Sequence, residues 1–184
     1  SSGGCGRATI KVDGVKRNKG GRGHNVVHYN PDTEVIEART FDTYGSGHQV
    51  DLFRNYLNAI PNGNMVAIAC QDECCNQIMH NRNRHRGAID AMKALGITHG
   101  HILCDWHQGG HHHHSYQWRS SATTISIKGE GVKQQKYAHR RHHCQEASFK
   151  MPSYSSGSDK SIAIKSGKSY LVSLKVRGNG KLEP

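Results

Sequence analysis

Three short stretches of this chain carry side chains suited to holding a polar, uncharged ligand: Arg22, the pair Asp72-Glu73, and Asp105-Trp106. Carboxylates accept hydrogen bonds from hydroxyls, a guanidinium donates them, and an aromatic face covers a C–H surface. A saccharide asks for that set. Asp72 and Asp105 also have the composition of a glycosidase's carboxylate pair, but nothing nearby sets one carboxyl apart from the other. The chain has no Gly-x-Ser-x-Gly elbow, phosphate loop or His-Glu-x-x-His, so binding without catalysis is the expectation. Each candidate has an ordinary structural use as well. Asp72 can cap Asn76 or the helix after it, Arg22 can be a solvated loop charge, and Trp106 reads as core or edge packing. Trp118, in the loop-like stretch Tyr116-Gln117-Trp118, has less reason to be buried and is the candidate aromatic for the sugar face.

Histidine and cysteine raise the question of metal. Fifteen histidines include the run His111-His112-His113-His114 and the group His139, His142 and His143. Adjacent imidazoles take up Zn or Ni adventitiously, and no resident cofactor is expected. Cys70, Cys74, Cys104 and His107 are the nearest approach to a structural zinc set, but disulfides explain the cysteines more simply. The six cysteines (5, 70, 74, 75, 104 and 144) are an even number, as in secreted, oxidised proteins. Neighbouring Cys74 and Cys75 are poorly placed to bond each other. The expected pairs are Cys70, Cys74 or Cys75 with Cys104 or a loop partner, and Cys5 with Cys144.

The elements that must position these groups follow from periodicity. Ala8 to Val12 alternates and stops at Asp13-Gly14, a hairpin signal. Lys16 to Gly23 is a basic, Gly-rich loop. Asn25–Tyr29 and Val35–Phe41 are β-rich and flank Asn30-Pro31-Asp32-Thr33, which is turn chemistry. Ser46 suits a helix N-cap, and Val50, Phe53, Leu57 and Ile60 recur on one helical face. Met65–Cys70 is an unbroken apolar run, a strand buried on both faces. Arg86–Leu95 reads as a second helix closed by Gly96, His101–Cys104 as a short buried strand, and Thr123–Lys128 as another. Strand, helix, strand, helix, strand predicts at least one parallel pair. Asp72 and Asp105 would then leave the sheet at one edge, where ligands of such sheets bind.

Charge divides the chain. Residues 1–131 hold 14 Lys/Arg against 11 Asp/Glu, while residues 132–184 hold 11 against 3. The basic part favours anionic partners, and protonation of its histidines toward pH 6 would strengthen that. It carries two β-like pieces, 161–164 and 170–176. No stretch is long and apolar enough to span a membrane. The start, Ser1-Ser2-Gly3-Gly4-Cys5, reads as a processed N-terminus or a trimmed one, and no Asn-x-Ser/Thr occurs. The bulk picture is a secreted, extracellular protein of mixed α/β class. A central mixed β-sheet or sandwich carries two or three flanking helices, and a β-rich C-terminal extension follows.

One run carries a resemblance: Arg22-Gly23-His24-Asn25-Val26-Val27-His28-Tyr29-Asn30, continuing through Pro31-Asp32-Thr33 and Val35 to Phe41-Asp42-Thr43. It resembles the interleukin-like EMT inducer (GG) domain. That domain is similar to the sugar-binding stem of protein O-mannose N-acetylglucosaminyltransferase. The resemblance extends over about residues 8–128 and is strongest over 22–43 and 61–73. It implies a carbohydrate-binding domain over 1–131, with 132–184 a basic extension. It implies that Arg22, ahead of the Gly-x-x-Val strand, and Asp72 with Glu73, after the buried apolar strand, contact the sugar. The family's second arginine falls at His99, a departure that leaves a shorter, neutral donor. The implied function is a lectin for terminal N-acetylglucosamine or a related sugar, working as a homo-oligomer because single sites bind weakly. The alternatives are a cytokine-like, receptor-binding factor and a heparin or anionic-glycan binder acting through the basic C-terminal part.

Overall fold

In the computed structural model, which describes residues 8–105, 121–138, 145–150 and 171–176, the chain begins with a hairpin. β1 (Thr9–Val12) and β2 (Val15–Lys16) are joined by Asp13 and Gly14, both at positive φ, 52° and 76°. That is the backbone a two-residue turn between twisted strands requires. Asn18 clamps the strand start: its Oδ1 accepts from the Ile10 N–H and its Nδ2 donates to the Ala8 carbonyl (2.7 and 3.0 Å).

β3 (Gly23–Tyr29) and β4 (Ile36–Phe41) form the next antiparallel pair. Between them Asn30 Oδ1 accepts from the N–H groups of Asp32 and Thr33, the Asx bend that the turn residues predict. α1 (Gly47–Ala59) starts at Ser46, whose hydroxyl accepts from the Gln49 N–H, and buries Val50, Phe53 and Leu57. Such a cap is worth about 1 kcal/mol. β5 (Met65–Gln71), α2 (Asn76–His80) and α3 (Arg82–Lys93) follow, then β6 (Ser121–Ile127), β7 (Gly131–Ala138), β8 (Gln145–Lys150) and β9 (Leu171–Val176).

The strands form two sheets, β4-β3-β5-β6-β7 and β2-β1-β9-β8. Met65–Cys70 of β5 is an unbroken apolar run because both faces of the strand are covered. Val66, Ile68 and Cys70 enter the core beneath the helices with Val26, Phe53 and Met92. Met65, Ala67 and Ala69 enter the core between the sheets with Ile10, Val12 and Val27. The α/β class therefore holds, as two sheets with helices on the outer face of the larger one.

The expected parallel pair does not occur: every pairing among the described strands is antiparallel. The cause is residues 101–104, which form a turn. The N–H groups of Ile102 and Leu103 both donate to the His99 carbonyl, at 2.9 and 3.0 Å. The residues are apolar because Ile102, Leu103 and Cys104 fill the core under the helices. Three consecutive apolar residues look alike in a buried strand and a buried turn. The helix expected from Arg86 is α3, which starts four residues earlier at Arg82.

The basic C-terminal part contributes to both sheets. β7 pairs with β6, while β9 lies between β1 and β8. The β-like piece 161–164 lies outside the described residues. Among the described residues, no helix is long and apolar enough to cross a membrane.

Candidate functional site

Gly23 opens β3 at φ +92°, and a Cβ there would stand 2.1 Å from the Phe41 carbonyl oxygen and 2.7 Å from the Thr43 nitrogen. Only glycine allows the two backbones to approach this closely, and the approach brings Arg22 onto residues 42–45. Arg22 Nε donates to Asp42 Oδ1 at 2.9 Å and Nη2 to Oδ2 at 2.6 Å. The guanidinium carbon lies 4.6 Å from the centre of the Tyr44 ring. Asp42 Oδ1 also accepts the Gly45 N–H at 3.0 Å. The Arg22 hydrogen bond holds the Asp42 carboxyl below its ordinary range. The guanidinium is held up in turn, first by that bond, then by the charges of Asp42 and Asp72. Asp42 engages two of the five guanidinium N–H groups, so the rest of the fork can donate elsewhere. The side chain is 44% exposed.

The pairing of β3 with β5 puts Asp72 on the same side of the molecule as Arg22. β5 runs beside β3 with Gln71 opposite Gly23, so the residue after Gln71 emerges next to Arg22. Asp72 sits at φ 64°, a left-handed conformation that Asp tolerates better than most residues. The Cys70–Cys74 disulfide closes the loop, and Cys75–Cys104 ties it to the turn at 101–104.

Behind Asp72 lies a pocket over Ile68, Met92 and Ile97, walled by His24, Glu73, His101, Thr124 and Tyr137. Burial pushes the Glu73 carboxyl up to about 7, against the pull of a 3.4 Å hydrogen bond from the Cys75 N–H. His24 lies 2.8 Å, Nδ1 to Oγ1, from Thr43 and stacks on Phe53 at 4.4 Å. Burial lowers its pKa to about 3, so its imidazole is neutral. His101 and Tyr137 stack at 4.6 Å with planes 10° apart, and His99 is 5.1 Å from the same phenol.

The model of the interleukin-like EMT inducer family matches residues 22–130, more than half of the chain. The chain belongs to that family. No curated protein matches it at a significant level. The segment that matches the interleukin-like EMT inducer family contains Arg22, Asp72, Glu73 and His99, and stops short of Tyr137.

Of the residues singled out from the sequence, Asp72 and Glu73 line the pocket. Arg22 neighbours Asp72 across the Gly23–Gln71 pair, and His99 packs on two of the pocket's walls. Trp118, Trp106 and the His111–His114 run lie outside the described residues. Asp105 is not paired with Asp72 at a common sheet edge. It is bound by Arg82 and Lys93 of α3, whose charges hold its carboxyl below the ordinary range, the Lys93 hydrogen bond foremost. Of the candidate zinc set, Cys70, Cys74 and Cys104 form disulfides, and His107 lies outside the described residues. Cys75–Cys104 is among the pairings expected, Cys70–Cys74 is a short-range bond within the loop, and Cys5 and Cys144 lie outside the described residues. Sequence reasoning missed Tyr44, His24, His101, Thr124 and Tyr137. Only His24 left a signal, as a polar residue in phase with Val26.

Proposed function

We propose that this is a secreted carbohydrate-binding protein that recognises N-acetylglucosamine or a related sugar and breaks no bond in it. The observation that carries the reading is that Arg22 and Asp72 emerge side by side from the paired ends of β3 and β5, with Asp72 lining a mostly apolar pocket. Donor and acceptor suit adjacent ring hydroxyls, and His99 and Glu73 stand close enough to the pocket to add polar contacts. The oxidised cysteines support an extracellular setting. Weak single-site affinity is offset by a homo-oligomer on a multivalent glycan surface.

The test is retention on N-acetylglucosamine resin with elution by free sugar. The parent chain is expected to be retained and Asp72→Ala to pass through. Equal retention of the two would remove the site. Failure of the parent chain to bind any resin or glycan array would leave the cytokine-like reading, in which the domain engages a receptor protein.

A second mode has its own observation. Lys11, Lys16, Arg17 and Lys19 are all exposed around the first hairpin, and β9 of the basic extension pairs with that hairpin. This cluster suits anionic glycans such as heparin. Elution from heparin that shifts strongly with salt supports it, because released counterions drive such binding.

A further inference from the structure

The pocket behind Asp72 and Glu73 is smaller than the ligand its rim is equipped to hold. Its free volume is small, about 20 Å3 of room for atom centres, enough for a few non-hydrogen atoms. A pyranose ring does not enter, whereas a single substituent of it does.

The walls define that substituent. Ile68, Met92 and Ile97 present carbon and sulfur. Among them the Thr124 hydroxyl is fully buried and has no hydrogen-bond partner. A buried hydroxyl left unanswered is unfavourable, so it favours a ligand atom that accepts its hydrogen. Tyr137 forms a flat wall whose orientation is set from one side. The ring centres of His99 and His101 are 5.6 Å apart and 5.1 and 4.6 Å from the phenol, so both imidazoles crowd the same side of it.

A methyl-sized apolar end beside one polar atom describes a short acyl group. We propose that this pocket is the subsite for the N-acyl substituent of a hexosamine. Thr124 Oγ1 donates to the amide carbonyl, the methyl packs against Tyr137, and the ring stays outside on Arg22 and Asp72. The proposal rests on the carbohydrate reading above. It also gives the C-terminal part a role in recognition, because Tyr137 lies beyond the segment that matches the family.

The test compares three free sugars on the full chain by titration calorimetry or NMR: glucose, N-acetylglucosamine and N-butanoylglucosamine. One buried methyl and one answered hydroxyl together predict about a tenfold preference for N-acetylglucosamine over glucose. N-Butanoylglucosamine should lose that gain, because the pocket is full at acetyl. Thr124→Val and Tyr137→Ala should lower N-acetylglucosamine affinity to the glucose level, while Asp72→Asn weakens both sugars alike. In the parent chain, saturation transferred from aromatic protons should be strongest at the acetyl methyl.

Equal affinity for glucose and N-acetylglucosamine would overturn the subsite, as would butanoyl binding as tightly as acetyl. Full preference retained by a folded Thr124→Val would overturn the role of that hydroxyl, and the three-sugar series on the parent chain decides the matter even if Tyr137→Ala does not fold. Absence of all sugar binding is a different failure: it removes the carbohydrate reading, and the subsite with it.

Discussion

Arg22 and Asp42 meet through two parallel hydrogen bonds, 2.9 and 2.6 Å, above the ring of Tyr44. The pair is largely exposed, so it adds little to stability. What it does is aim a long, flexible side chain. A second constraint makes the aim specific: a Cβ on Gly45 would fall 2.7 Å from Arg22 Nη2 and 2.9 Å from Asp42 Oδ2.

Asp42→Ala should therefore weaken sugar binding about tenfold while moving the melting temperature little. Arg22→Lys should resemble Arg22→Ala in binding, because an ammonium cannot span both carboxylate oxygens and still present a fork to the ligand. The check is affinity and thermal melting on the same samples. Full affinity in Arg22→Lys would mean that the cation acts only as a point charge.

The two disulfides should differ in weight. Cys75–Cys104 spans 29 residues of sequence and Cys70–Cys74 spans 4. Loop-closure entropy assigns about 3.6 kcal/mol to the first and about 2 kcal/mol to the second. Paired serine substitutions measured by urea unfolding should follow that order. The shorter bond has the more local consequence. It brackets Gln71, Asp72 and Glu73, so Cys70→Ser/Cys74→Ser should reduce sugar affinity by more than its stability loss suggests. A double variant with parent affinity would show that the loop holds its shape unaided.

Most of the frame was legible in the residues, for identifiable reasons. Ser46, the Asp13-Gly14 turn and the Asn30 bend act through their own backbone, so local chemistry determines them. Met65–Cys70 announced its burial because both faces are covered. The turn at 101–104 was misread because its apolar residues answer to the tertiary core and not to a period. The same limit applies to the site. Arg22, Asp72 and Glu73 sit beside strong local signals, a strand opened by glycine and a buried apolar run. Thr124 and Tyr137 reach the pocket only through the register of β6 against β5 and of β7 against β6, which a sequence does not display. Asp42 was visible as an acid at a strand exit, but its role depends on a contact across 20 residues.

Gly23 should be the least replaceable residue near the site. Its φ is +92°, and an added Cβ would meet backbone atoms, the Phe41 oxygen at 2.1 Å and the Thr43 nitrogen at 2.7 Å. Backbone cannot move aside as a side chain can. Gly23→Ala should cost more than about 3 kcal/mol, through conformational strain together with a separated strand pair. Gly14→Ala is the control: its φ is +76°, but nothing lies within 4 Å of the added Cβ, so the loss should stay near about 1 kcal/mol. Urea midpoints of the two variants check the difference, and similar losses would mean that conformation alone decides.

Glu73 should make stability depend on pH in an unusual direction. Its carboxyl titrates near 4.5 when free and is raised to about 7 in the fold, by burial first. Below pH 4.5 it is protonated in both states, and folding carries no charge penalty. Between 4.5 and 7 the unfolded chain has released its proton and the fold still holds one, so the fold binds more protons and its stability falls as pH rises. Above 7 both states are ionised and the loss levels off. A shift of that size corresponds to about 3 kcal/mol at most. Glu73→Gln should remove the slope and make the protein more stable than the parent at pH 7.5, with little difference at pH 4.5. Urea unfolding of both proteins at those two pH values measures it. A parent whose stability rose between pH 4.5 and 7 by the same amount as the variant's would show that the Glu73 carboxylate is solvated in the fold.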